Sequence, residues 1–188
     1  MSKASAKAKP KAKKKTATAR VPAAGKAKSS KKSSKKPTAQ YTIGVGDAAP
    51  KLTLPTGDRL GKKKVVVLYF YPKDNTPGCT TEGLDFKKLH GAFEKLGCEI
   101  YGVSRDSMKS HAAFGEKCGF PFALLSDENS EICKAFDVIQ MKSLYGRKFE
   151  GIERSTFVVG KDGTILAEWR KVKVDGHAKS VYDFVCGL

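Results

Sequence analysis

The sequence predicts one α/β domain, a mixed sheet with helices on both faces, behind a disordered basic tail. Charge gives the first observation. Residues 1 to 40 hold thirteen lysines and Arg20 without a single acidic residue, so the rest of the chain carries only about +3 of the total +17. Hydropathy gives the second: from Tyr41 onward, short β-branched and aromatic runs alternate with stretches of helical period. Strands separated by helices imply parallel crossover connections. The third is a hairpin signal late in the chain, "ERSTFVVGKDGTILAEWRK", which adds antiparallel strands to that sheet.

The tail comes first in order. "MSKASAKAKPKAKKKTATARVPAAGKAKSSKKSSKKP" offers Met1 and Val21 as its only sizeable apolar side chains. Such a segment cannot offset the entropy of ordering its backbone, so residues 1–40 are expected to be disordered and 41–188 to form the folded domain. Its ammonium groups suit non-specific contact with nucleic acid by counterion release. A solubilising tail and a nuclear address are the alternatives. With one Arg and no apolar face it does not read as a mitochondrial presequence.

The domain then follows element by element. "KKVVVLYFYP" is a continuous apolar run closed by Pro72, as expected of a central strand buried on both faces. "TEGLDFKKLHGAFEKLG" sets Phe86, Leu89, Phe93 and Leu96 at helical spacing. "CEIYGVS" is the next strand, "SMKSHAAFGEKCGF" a helix ending near Gly119 and Pro121, "FALLSD" a third strand and "NSEICKAFDV" a short helix. The hairpin around Lys161-Asp162-Gly163 comes next, and "GHAKSVYDFVCGL" closes the chain as a helix. This order suits a thioredoxin-like sandwich. A flavodoxin-like sheet fits the same pattern but needs a phosphate-cradling loop after its first strand, and "PKDNTPG" has one glycine.

Five cysteines lie at 79, 98, 118, 133 and 186, with no Cys-x-x-Cys pair and no Cys/His cluster of zinc spacing. Neither a disulfide framework nor a structural metal site is implied, which favours a reducing compartment. No apolar stretch approaches the ~18 residues of a membrane span, and no secretory signal is expected. Cytoplasm is the expected location, with a nucleoid or a nucleus as the addresses the tail would suit.

Cys79 stands apart from the other four. Thr76 and Pro77 read as a helix start, Thr as N-cap and Pro at the first helical position, so Cys79 falls third. There the unpaired N–H groups and the positive end of the helix dipole favour an anion. A thiol so placed usually ionises more readily than the free side chain, with a pKa falling from ~8.5 towards 7 or below. Gly78 leaves its flank open to a small molecule.

"P-K-D-N-T-P-G-C" also matches the peroxiredoxin pattern Pro-x-x-x-Thr-x-x-Cys through Pro72, Thr76 and Cys79. Together with "VVLYFYPKDNTPGCTTEGLDF", "GVSRDS", "LLSD", "GIERSTF" and "EWRKVKVDGH", it closely resembles the bacterioferritin-comigratory (peroxiredoxin Q) subfamily over about residues 44 to 188. The resemblance implies a thioredoxin-like fold and a thiol peroxidase, often monomeric. Its substrate would be a hydroperoxide and its reductant thioredoxin or a similar dithiol protein, with no metal, flavin or haem. It assigns the attacking sulfur to Cys79, and stabilisation of the breaking O–O bond to Thr76, Arg154 and the N–H groups of Gly78 and Cys79. Pro72 would shield the thiolate.

The two positions at which this subfamily carries a resolving cysteine are Leu84 and Gly115 here. Cys118, three residues beyond Gly115 on nearly the same helical face, is the candidate resolving residue. The other route is a one-cysteine enzyme whose sulfenic acid meets an external thiol, and the sequence leans slightly that way. Cys98 and Cys133 read as core, Cys186 as surface and Trp169 as strand packing. Glu82 reads as a first-turn carboxylate favoured by the dipole. Without the resemblance Arg154 would be expected to pair with Glu153 or Glu150. The histidines, His90, His111 and His177, stand far apart, and an imidazole base is only a minor expectation.

Overall fold

β1 (Val65–Phe70) is the middle strand of a five-stranded sheet, as its unbroken apolar run predicts. The computed structural model describes residues 41–144 and 146–188; the expected disordered tail and its nucleic-acid contact lie outside the described residues. Side chains alternate across the pleat. Val66, Leu68 and Phe70 enter one core cluster, and Val67, Tyr69 and Tyr71 enter the other. Each such side chain is almost wholly removed from water, worth roughly 1.5–3 kcal/mol apiece.

The sheet order is β3-β2-β1-β6-β7. β2 (Cys98–Ser104) runs parallel to β1, and β3 (Leu124–Ser126) parallel to β2. β6 (Ser155–Val159) and β7 (Ile165–Trp169) add the antiparallel side as the expected hairpin. Its turn is set by Gly163 at φ +84° and by the Asp162 carboxylate, which accepts from the Thr164 N–H at 2.9 Å. α1 (Pro77–Lys95), α2 (Met108–Cys118) and α4 (His177–Cys186) cover the face of Val67, Tyr69 and Tyr71. α3 (Glu131–Ala135) lies with Cys133 and Phe136 against the other. The expected mixed sheet with helices on both faces is therefore present.

Two details depart from expectation. The apolar stripe of α1 ends at Phe93; Leu96 is the C-cap residue and 43% exposed, because the chain leaves the helix there through Gly97 at φ +67°. The segment between α3 and β6 holds an unexpected two-stranded ribbon, β4 (Ile139–Leu144) with β5 (Arg147–Ile152). Among its described side chains only the base is buried, at Gly151 and Ile152, so most of "IQMKSL" and "RKFEGI" lacks the polar/apolar alternation that marks a half-buried strand. Arg170 was likewise silent in the sequence. Its guanidinium lies over the Tyr41 and Phe157 rings and donates to the carbonyls of Ile43, Phe136 and Asp137, tying the start of the domain to its core.

Candidate active site

β1 delivers the chain to a tight turn at the C-terminal edge of the sheet, and the turn opens directly into α1. Asn75 takes φ +56°, a conformation its short polar side chain tolerates. Thr76 is the N-cap residue, Pro77 the first helical residue and Cys79 the third, as expected. The Thr76 hydroxyl does not cap the helix, however; it donates to the Lys73 carbonyl at 3.1 Å. The helical ladder starts where the Thr80 N–H meets the Thr76 carbonyl at 2.9 Å, so the N–H groups of Gly78 and Cys79 lie upstream of it at the positive end of the dipole. Cys79 is 2% exposed.

Arg154 stands at the entrance of β6, where its guanidinium faces α1. Nη2 donates to the Cys79 sulfur at 3.1 Å, and Nη1 to the carboxylate of Glu82. Glu82 is 1% exposed and sits in the second turn of α1, three residues beyond Cys79 and therefore on the same face. It is thus neither a first-turn carboxylate nor a surface group, and it replaces Glu153 and Glu150 as the partner of Arg154. Glu153 instead accepts from the Tyr41 hydroxyl at 2.6 Å.

Two opposing effects decide the electrostatics. Burial costs the Glu82 carboxylate more than Arg154 returns, and its pKa is pushed up to about 7. Arg154 is also penalised by burial, but Glu82 and Cys79 together more than compensate and hold it charged. The same guanidinium, with burial as the larger effect, drives His177 down to about 4. His177 is therefore a neutral imidazole at neutral pH, with its Nε2 2.7 Å from the Thr156 hydroxyl.

The other predicted residues differ in their surroundings. Pro72 is exposed at the bend after β1. Cys118 is half-buried at the end of α2, packed against the cluster that contains Cys79. Cys98 and Cys133 are core residues whose thiols burial pushes up, Cys98 to about 12. Cys186 is exposed, and Trp169 packs edge-on against Phe184 and His177.

A buried group that carried no sequence signal is Asp74. Its Oδ2 accepts from Ser110 Oγ at 2.6 Å and lies 2.9 Å from His111 Nδ1, while Oδ1 accepts from the Tyr71 hydroxyl at 2.8 Å. Its backbone N–H donates to Asp106 at 2.8 Å. This network ties the turn before Cys79 to the first helical turn of α2, so the thiol is carried on a braced loop. Among the described residues no cluster of three or more acidic, His or Cys groups could hold a metal ion, and no helix is long and apolar enough to cross a membrane.

Comparison with known proteins identifies the family. Residues 45–168 match the AhpC/TSA family. Peroxiredoxin Bcp of Xanthomonas campestris pv. campestris is 58% identical over 116 residues, covering 62% of this chain and 72% of that protein. Peroxiredoxin Bcp of Bacillus subtilis is 49% identical over 143 residues, covering 72% and 90%. Among solved structures, Xanthomonas campestris peroxiredoxin Q superimposes with a TM-score of 0.69 at 46% identity, over 77% of this chain and 97% of that one. A second structure of the bacterioferritin comigratory protein from that organism, described for its alkyl peroxide reduction activity, gives 0.69 at 45%, over 77% and 98%.

Proposed function

Because this chain belongs to the AhpC/TSA family, in the Bcp or peroxiredoxin Q branch, we infer that it is a thiol-dependent peroxidase that reduces hydroperoxides through Cys79. The observation that carries the reading is the Arg154 guanidinium seated between the Cys79 sulfur and Glu82. A thiolate attacking a hydroperoxide forms an S–O bond as the O–O bond breaks. The sulfur becomes a sulfenic acid, and the departing oxygen takes a proton to leave as water or an alcohol. Negative charge moves from sulfur to oxygen along that line. Arg154 and the N–H groups of Gly78 and Cys79 would be the fixed donors that follow it, and the Thr76 hydroxyl would turn from Lys73 to do the same.

Regeneration is read through Cys118. Two contacts made by its chain neighbours reach the elements that carry Cys79. Lys117 Nζ donates to Asn75 Oδ1 at 3.3 Å, four residues before Cys79, and the Phe120 ring fills the space over Gly83, four residues after it. Lys87 of α1 donates to the Cys118 carbonyl at 2.7 Å. The buried Tyr69 hydroxyl is within electrostatic reach of both sulfurs. Opening the last turn of α2 would let the Cys118 thiol attack the sulfenic acid, forming a disulfide and releasing water. Thioredoxin or a similar dithiol protein would then reduce it.

The test is peroxide consumption with a thioredoxin-coupled assay. Cys79→Ser is expected to abolish turnover, and Arg154→Leu to lower kcat/KM by about 10²–10³. Full activity in Cys79→Ser would overturn the reading. Mass spectrometry after one equivalent of peroxide is expected to show a Cys79–Cys118 link. A persistent sulfenic acid at Cys79, with unchanged coupled turnover in Cys118→Ser, would instead establish the one-cysteine route.

A further inference from the structure

The charges around Cys79 do not balance on the groups described so far. When both are ionised, Cys79 and Glu82 are two anions in contact with a single guanidinium. Glu153, next to Arg154 in the chain, turns its carboxylate to the Tyr41 hydroxyl, and His177 contributes no charge because it is neutral. A thiolate in a water-poor site needs compensation that Arg154 alone supplies only in part.

The β4–β5 ribbon holds another cation. Lys142 stands opposite Phe149, on the face of the ribbon that also carries Gly151. A Cβ at Gly151 would touch Lys142 Cδ at 3.2 Å and Phe149 at 3.3 Å, so the glycine clears a track along which the lysine stem lies. The stem ends with Nζ donating to the Ile152 carbonyl at 2.5 Å, two residues before Arg154. From there the ammonium is within electrostatic reach of Arg154, Glu153 and Cys79. The opposite face of the ribbon carries Ser143 and Lys148, so Lys148 points its charge the other way.

We propose that Lys142 is a positioning residue of the peroxidase site, a second cation laid over Gly151 that supports the ionised Cys79 while Arg154 is shared with Glu82. The inference rests on Cys79 being the reacting sulfur. It adds no covalent step: once the sulfur is a neutral sulfenic acid the demand for Lys142 falls, so its effect belongs to the reduced enzyme. Burial and Arg154 both oppose its charge, whereas Glu153 and ionised Cys79 favour it. Lys142 and the thiolate therefore stabilise each other's charged forms.

The test is the pH profile of Cys79 alkylation by iodoacetamide, followed by peptide mass spectrometry in the full-length protein at low salt. In Lys142→Met the pH at half-maximal rate is expected to rise by about one unit, with an alkylation rate about tenfold lower below that midpoint. Lys142→Arg should restore most of the wild-type profile, and Lys148→Met, which removes the same charge from the other face, should leave it unchanged. A Lys142→Met profile superimposed on the wild type would overturn the proposal. So would equal shifts in Lys142→Met and Lys148→Met, which would mean a general loss of positive charge, and so would failure of Lys142→Arg to restore the profile. Alkylation needs no peroxide turnover, so failure of this inference is distinct from failure of the peroxidase reading.

Discussion

Arg154 bridges Glu82 and Cys79, holding a buried carboxylate with one nitrogen and the sulfur, 3.1 Å away, with the other. The carboxylate therefore has two opposing effects on the chemistry. It orients the guanidinium towards the Cys79 sulfur, and when ionised it competes with a thiolate there for the same cation. With Glu82 poised at about 7, both states are populated near neutral pH.

The first prediction concerns stability against pH. The folded-state pKa of Glu82 lies above its ordinary value of 4.5, at about 7. Between those values the folded protein binds the extra proton and the unfolded chain does not. The stability gained from protonated Glu82 is thus complete below 4.5 and is lost as pH rises through about 7. Relative to Glu82→Gln, which cannot ionise, the wild type should lose about 3 kcal/mol over that window. Denaturant unfolding of both proteins at intervals from pH 5 to 8 measures the difference. A flat difference, or one that grows in favour of the wild type with pH, would refute it.

Local physics explains what could be read from the chain alone. The central strand, the start of α1 and the place of Cys79 follow from an apolar run, a capping pair and a count of three residues, all local in sequence. Arg154 could be singled out through its match to the "ERSTF" motif, with which its place at the mouth of an apolar strand is consistent. Its partner could not, since Glu82 lies 72 residues away and its polar type suggested a surface group. The spacing of three from Cys79 was the available signal, and it has weight only once that face of α1 is known to be buried. The Asp74–His111 contact spans 37 residues and the Lys142 track depends on the β4–β5 register, so neither leaves a periodic trace. The ribbon itself escaped notice because its exposed length buries no continuous face.

Thr76 supplies the second prediction. Its hydroxyl donates to Lys73 and makes no capping bond, so removing it should cost about 1 kcal/mol or less. As a donor to the breaking O–O bond it would matter far more, at about 10²-fold in kcat/KM. Thr76→Val should therefore unfold within a few degrees of the wild type while losing most activity, and Thr76→Ser should keep most of it. Peroxidase kinetics paired with thermal unfolding separates the two roles. A Thr76→Val protein with full activity, or one whose activity loss matches a large stability loss, would exclude the catalytic role.

Gly83 supplies the third. A Cβ there would stand 2.5 Å from Phe120 Cζ, a clash that only a shift of the ring can relieve. The ring has little freedom, being packed edge-on to Phe114 at 5.1 Å and stacked on Phe122 at 5.2 Å. Overpacking of this kind costs about 1–3 kcal/mol, against roughly 1 kcal/mol gained from alanine's higher helix propensity. Gly83→Ala should therefore lower the melting temperature by several degrees. Because Phe120 follows Cys118 by two residues, the displaced ring should also loosen the last turn of α2 and speed alkylation of Cys118, read by peptide mass spectrometry. An unchanged or raised melting temperature, with Cys118 no more reactive, would mean that the aromatic cluster does not hold that turn against α1.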